Sequence, residues 1–134
     1  MIFHHYPLDQ ECNPALTNQV HATSCAAAIA AECAGEQGKF WEYADLLFAD
    51  QSEYTRQELD DFAKKLNLDE SRFVACQADS RAKDMIRQDI EDAERIGIKA
   101  TPTLVVNGRL LDGGVPPLQK LASLITAEKQ RTTK

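Results

Sequence analysis

One stretch constrains the fold of this chain more than any other: Gly97-Ile98-Lys99-Ala100-Thr101-Pro102-Thr103-Leu104-Val105-Val106-Asn107-Gly108. Thr103 to Val106 is apolar and β-branched, which predicts a buried strand. Proline cannot donate to a ladder, so Pro102 belongs at the first residue of that strand. Asn107-Gly108 is the strongest short hairpin signal, because a type I′ turn needs positive φ at both central positions. Arg109-Leu110-Leu111 then returns as the partner strand. A cis Thr101–Pro102 bond would turn the chain sharply and leave Thr101's backbone groups open to an extended peptide. Only about 5 % of X–Pro bonds are cis, so the residues alone favour trans.

The rest of the chain reads in helical grammar. Ile2 to Tyr6 is predicted as a short strand closed by Pro7, and Leu8 to Ala22 as a loop with Asn13-Pro14 as its turn signal. Thr23 or Ser24 caps a helix through Ala34, and Gly35 stands where a left-handed C-terminal residue belongs. A second helix is predicted over Lys39 to Ala49, with Phe40, Ala44, Leu47 and Phe48 on its inner face. Thr55-Arg56-Gln57-Glu58 forms a capping box before a helix that buries Leu59, Phe62, Ala63 and Leu66. A short helix around Glu70 to Gln77 turns Phe73 and Val74 inward. Ser80 opens a longer one with a stripe of Ala82, Met85, Ile86, Ile90, Ala93 and Ile96, ended by Gly97. After the hairpin, Gly113-Gly114 breaks the strand. Pro116-Pro117 starts a final helix carrying Leu118, Leu121, Leu124 and Ile125, with Gln130 to Lys134 expected to fray. The class is α/β, in one domain over 1–134: a helical region about 23–97, then a proline loop, hairpin and last helix about 98–128.

Composition removes several function classes. The net charge of −6 argues against a nucleic-acid partner, which would need a basic patch. No apolar run approaches a membrane span, and Met1 to Pro7 has neither the basic nor the long apolar region of a signal peptide. Nothing calls for a cofactor. His4 and His5, adjacent on a strand, point to opposite faces and cannot chelate a metal together. Trp41 and Tyr43 read as helix packing, and Asp89, Glu91, Asp92 and Glu94 as a solvated helix face. The four cysteines, Cys12, Cys25, Cys33 and Cys76, form no Cys-x-x-Cys pair. Cys25 and Cys33 lie about 12 Å apart on one helix, too far to bridge. Cys12 sits on a loop able to fold back onto the helix start at Cys25, which predicts a disulfide there. Cys33 is left with Cys76, or free. Disulfides would imply an oxidising compartment.

The segment Gly97 to Gly108 resembles the cis-proline loop and following hairpin of thioredoxin-fold proteins. His5-Tyr6-Pro7-Leu8, Ala30-Ala31-Glu32-Cys33-Ala34 and Gly35-Glu36-Gln37-Gly38-Lys39-Phe40-Trp41-Glu42-Tyr43 look like the DsbA-like group, thioredoxin domains with a helical insertion. Asp9 to Pro14, with Cys25 further on, is similar to members found beside vitamin K epoxide reductase domains. The resemblance implies a cis Thr101–Pro102 bond and assigns substrate binding to Thr101 and Pro102. It also implies thiol–disulfide exchange in a periplasmic or other extracytoplasmic compartment. The partners would be an extended polypeptide or thiol-protein substrate and, for the full-length protein, a membrane redox partner. In that family a strand and a Cys-x-x-Cys helix precede the segment matching Ile2 to Leu8, and nothing here corresponds to them. The fold is therefore expected to be N-terminally incomplete, with no catalytic residue. Cys25 is the nearest imitation, in a helix's first turn, but Ala28 stands where a resolving cysteine would be. The expectation is a fragment inactive alone; the alternative is a non-catalytic peptide- or partner-binding module. The absent strand would lie mid-sheet, so a homodimer that covers the gap is expected.

Overall fold

Residues 1–49, 53–111 and 114–132 are described in a computed structural model of the chain. Two compact units form, Met1–Arg95 and Ile96–Lys134.

The first unit is a helical body built around α1 (Ser24–Gly35), which packs against α2 (Phe40–Ala49), α3 (Arg56–Lys65), α4 (Glu70–Ala78) and α5 (Ser80–Arg95). Its sequence explains the central place. Cys25, Ala28, Ala30, Ala31, Cys33 and Ala34 are all buried, and a helix apolar on every side must be enclosed. Alanines there let four neighbours come close. One core gathers Tyr43, Leu59, Phe73, Cys33 and Cys76, and the Tyr43 hydroxyl donates to the Leu59 carbonyl at 2.8 Å. A second joins Ala28 to Ile86 and Ile90 of α5, with Tyr6 and Cys12 packed against it.

Several local expectations are corrected here. Ile2 to Tyr6 is not a strand. A strand needs a ladder partner, and the His5 N–H donates instead to the Asp89 carboxylate, at 2.8 Å. Thr23 is the N-cap of α1 but makes no side-chain cap bond, and the Ser24 hydroxyl turns back to the His21 carbonyl. Gly35 is the last helical residue; the left-handed position falls on Gly38, at φ +75°. What Gly35 supplies is space, since a Cβ there would meet the Phe40 side chain at 3.4 Å.

Inner faces are narrower than the apolar stripes. Neighbouring helical residues lie about 100° apart, so a residue at the flank of an apolar stripe turns away from the core while the centre of the stripe is buried. Tyr43 and Ala44 take that place in α2, leaving Phe48 64 % exposed. Phe73 takes it from Val74, and Ile86 from Met85; Ile96 is also exposed. The Thr55–Glu58 capping box is complete in both directions.

The second unit holds β1 (Leu104–Val106), β2 (Arg109–Leu111) and α6 (Leu118–Thr132). The strands pair antiparallel in the register Leu104↔Leu111, Val105↔Leu110 and Val106↔Arg109. The expected buried strand is not buried: Val105 is 47 % exposed, and Leu104 and Val106 are partly so. A two-stranded sheet has no neighbouring layer of its own to cover both faces. Leu118 and Ile125 are likewise exposed. The last helix continues to Thr132 rather than ending near 128; Lys129 and Arg131 in its last turn favour that end, and Arg131 pairs with Glu128 at 2.9 Å. Gly113, Thr133 and Lys134, for which a strand break and fraying are predicted, lie outside the described residues.

Candidate functional site

The proline loop leads directly into β1. Thr101 and Pro102 are exposed, their peptide bond is cis, and Leu104 begins the ladder two residues later. Asn107 and Gly108 have φ of 49° and 76°, both positive as a type I′ turn requires. This tight turn sets the register of the hairpin and hence the direction in which the loop enters it. The Thr103 hydroxyl donates to the Ala100 carbonyl and closes the loop on itself. Among the described residues, Thr101's backbone N–H and C=O have no hydrogen-bond partner. An extended segment laid along such a backbone would find both a donor and an acceptor.

The second place of chemical interest is the start of α1. Cys12 and Cys25 are joined in a disulfide with their Cα atoms 5.9 Å apart, and Cys33 and Cys76 in another at 5.6 Å. No cysteine is free. Cys25 is buried in the first turn of α1, and Ala28, one turn on, is buried too. Thiol attack needs a thiolate, and neither bonded sulfur can supply one.

Asp9 governs this corner, and sequence reading passed over it. Its side chain accepts from the Glu11 N–H at 3.0 Å, the Gln19 amide at 3.0 Å and the Cys25 N–H at 3.2 Å. The last of these makes Asp9 the remote cap of α1 that Thr23 does not provide. Burial pushes the Asp9 carboxyl up, but the bonds from Glu11, Gln19 and Cys25 outweigh it and hold it below its ordinary value. Fully buried Asn13 completes the corner: its amide donates to the Pro7 carbonyl at 2.9 Å, and its oxygen accepts from the Ala15 N–H at 3.1 Å. The signal for these residues was present in Asp9-x-Glu11 and Asn13-x-Ala15, where a side-chain oxygen accepts from the backbone two residues on.

The two histidines turn to different carboxylates. His4 Nδ1 meets Asp89 at 2.7 Å, and buried His5 Nε2 meets Glu32 at 2.8 Å. Among the described residues, no three His, Cys, Asp or Glu side chains gather as a metal site would need. The acidic run on α5 is more than a solvated face, because Asp89 holds His4 and His5 while Glu94 accepts from the Tyr6 hydroxyl. That bond to Glu94, with desolvation beside it, raises the Tyr6 pKa. Tyr43 packs in the core as expected, and burial raises its pKa strongly. Trp41 is instead partly exposed, against Phe3 and Phe40.

A family model described as thioredoxin matches residues 5–126, a span that includes the disulfides, the proline loop and most of α6. A Na(+)/H(+) antiporter NhaA 1 of Salinispora arenicola is 40 % identical over 108 residues, covering 81 % of this chain and 16 % of the antiporter. An NhaA 3 of Salinispora tropica is 46 % identical over 90 residues, covering 67 % of this chain and 14 % of the antiporter. The chain thus spans only a small part of the curated relatives it matches. No solved structure matches it.

Proposed function

The chain belongs to the thioredoxin family, with a thioredoxin-like fold carrying a helical insertion, and on that premise we propose that it is a DsbA-like thiol–disulfide oxidoreductase domain inactive by itself. In this reading Thr101 and Pro102 hold an extended, thiol-bearing polypeptide. The observation that carries the inactivity is the cysteine inventory: no Cys-x-x-Cys occurs in the 134 residues, and all four cysteines are spent in two disulfides. Exchange needs a thiolate and a resolving thiol one turn away, and a lone attacking sulfur would stall in the mixed disulfide. Two disulfides support an oxidising, extracytoplasmic setting. Membership of a longer membrane protein, as in the antiporter relatives, fits a membrane redox partner. Sodium–proton exchange is not carried over. The match covers only 14–16 % of the relatives quoted, and among the described residues no helix is long and apolar enough to cross a membrane.

An insulin-reduction assay tests the chemistry. We expect no turnover by the chain alone; multiple turnovers would overturn the reading. The second reading, a non-catalytic binding module, draws on the exposed proline loop with its unpartnered Thr101 backbone. An unfolded peptide should then shift the Thr101 and Thr103 amide resonances, and Pro102→Ala should weaken that response. No shift at millimolar peptide would remove both readings of the loop. The free edges of the two-stranded sheet offer a second copy a ladder to extend, which supports the homodimer. Sedimentation at micromolar concentration should show it, and a stable monomer would refute it.

A further inference from the structure

The first unit carries an open groove of about 280 Å³ lined by Phe3, Glu32, Gly35, Phe40 and Trp41. The rings do not stack. Phe40 and Trp41 stand at 87° with centroids 5.1 Å apart, and Phe3 meets Trp41 at 85° and 6.1 Å. Perpendicular rings make a corner rather than a closed stack, and all three rings line the groove. Gly35 keeps one wall bare, since a Cβ there would already touch Phe40. The one charge among the lining residues is Glu32. One of its oxygens is held by His5 Nε2 at 2.8 Å, and the other has no partner among the described residues. His5 is itself buried, with Phe3 and Phe40 against it at 5.1 and 5.9 Å, so the carboxylate is fixed from below by a packed imidazole.

We propose that this groove binds an arginine side chain of a partner polypeptide. Aromatic faces attract a cation through their quadrupole, and a guanidinium is planar, weakly hydrated and able to stack on a ring while donating to a carboxylate. Both halves of that recognition are present: a ring corner for the plane and a free Glu32 oxygen for the N–H groups. A purely apolar occupant would leave that oxygen without a partner, at the expense of its desolvation. A negative chain, with net charge −6, attracts a positively charged ligand.

Trp41 is the only tryptophan, so its fluorescence reports on this groove alone. The probe is N-acetyl-argininamide, compared with N-acetyl-citrullinamide, which keeps the shape without the charge, and N-acetyl-norleucinamide, which keeps only the apolar stem. We expect a saturable millimolar response to the arginine probe, no saturation with the other two, and at least about tenfold weaker binding in Glu32→Gln. Glutamine can still accept from His5, and circular dichroism checks that the variant folds. Glu42→Gln, which removes the same charge from a carboxylate paired with Lys39 outside the groove, should bind as the parent does. The proposal is overturned by no response, by equal responses to arginine and citrulline or norleucine, or by equal weakening in both variants. It is also overturned by fluorescence that follows protein concentration without ligand, which would assign the face to a second copy.

Discussion

The two units of this chain bury their apolar residues very differently. Every buried core residue among the described positions lies between His5 and Ile90; none lies in Ile96–Lys134, although Leu104, Val105, Leu110, Leu118 and Ile125 are as apolar as anything in the helices. The first unit is shaped by burial and by two covalent crosslinks. The second takes its form from local signals: a two-residue turn that sets a register, and a helix begun after Pro116-Pro117. A lone hairpin and a single helix are each marginal in water. The lesson is that a sharply specified local conformation and a well-packed one are separate properties, and this chain shows one of each.

The largest test of that contrast compares equivalent losses. Phe73 is fully buried against Tyr43, with ring centroids 5.9 Å apart. We expect Phe73→Ala to lower the unfolding free energy by about 3–5 kcal/mol in urea titrations. Val105→Ala should change it by less than about 1 kcal/mol. If Val105→Ala loses as much as Phe73→Ala, the strand is packed after all and the distinction fails.

A smaller effect sharpens the other side. Gly108 has φ +76°, and a Cβ built on it meets nothing within 4 Å, so any penalty for Gly108→Ala is purely one of backbone conformation. An L-residue in the left-handed region costs about 1 kcal/mol. Amide exchange should therefore quicken at Val106 and Arg109, the turn-closing pair whose N–H groups face each other across the ladder, and at Leu104 and Leu111, the next such pair, with the helical unit unchanged. Unaltered exchange across the hairpin would mean that the turn does not hold it.

How much was legible follows the same division. Turn chemistry is written in adjacent residues, so Asn107-Gly108, the returning strand Arg109–Leu111 and the Thr55–Glu58 box could be placed to the residue, and the first strand to within one. Helices were legible from periodicity, but periodicity does not say which of two neighbouring apolar residues wins the core: Phe73 and Val74, and Met85 and Ile86, were both expected inward, and only Phe73 and Ile86 are buried. Burial of Thr103 to Val106 was misread because composition reports what a strand could bury, not whether a second layer exists. Ile2 to Tyr6 failed for a related reason: its backbone and side chains are claimed by Asp89, Glu32 and Glu94, up to 88 positions away, and no local pattern encodes that. At the candidate sites, Thr101 and Pro102 rest on family resemblance. Asp9 and Glu32 act through partners 16 and 27 positions distant, which only the folded chain brings together.

Asp9 supplies the finest test, because it asks whether the first unit depends on a local electrostatic signal as well as on burial. Its carboxylate caps α1 at Cys25 N–H and is 2 % exposed, with three hydrogen bonds holding its pKa below the ordinary value. A group depressed in the folded state stabilises it above the unfolded pKa, and that contribution fades as pH falls through the folded value. Asp9→Asn keeps the shape but turns one accepting oxygen into an NH2 donor, so it removes the charge from the helix N-terminus, worth about 0.5 kcal/mol, together with the acceptor for one side of the Glu11, Gln19 and Cys25 bonds. We expect the variant to unfold at slightly lower urea than the parent at pH 7. The gap should begin to close as pH falls below the ordinary carboxylate value of about 4, where Asp9 of the unfolded chain takes up its proton, and close fully at lower pH once the folded carboxylate does so too. Parallel stability curves, with the same gap at pH 7 and at pH 2, would show that the charge of Asp9 does nothing for α1. The Cys12–Cys25 bond and the packing behind it would then hold that corner without the cap.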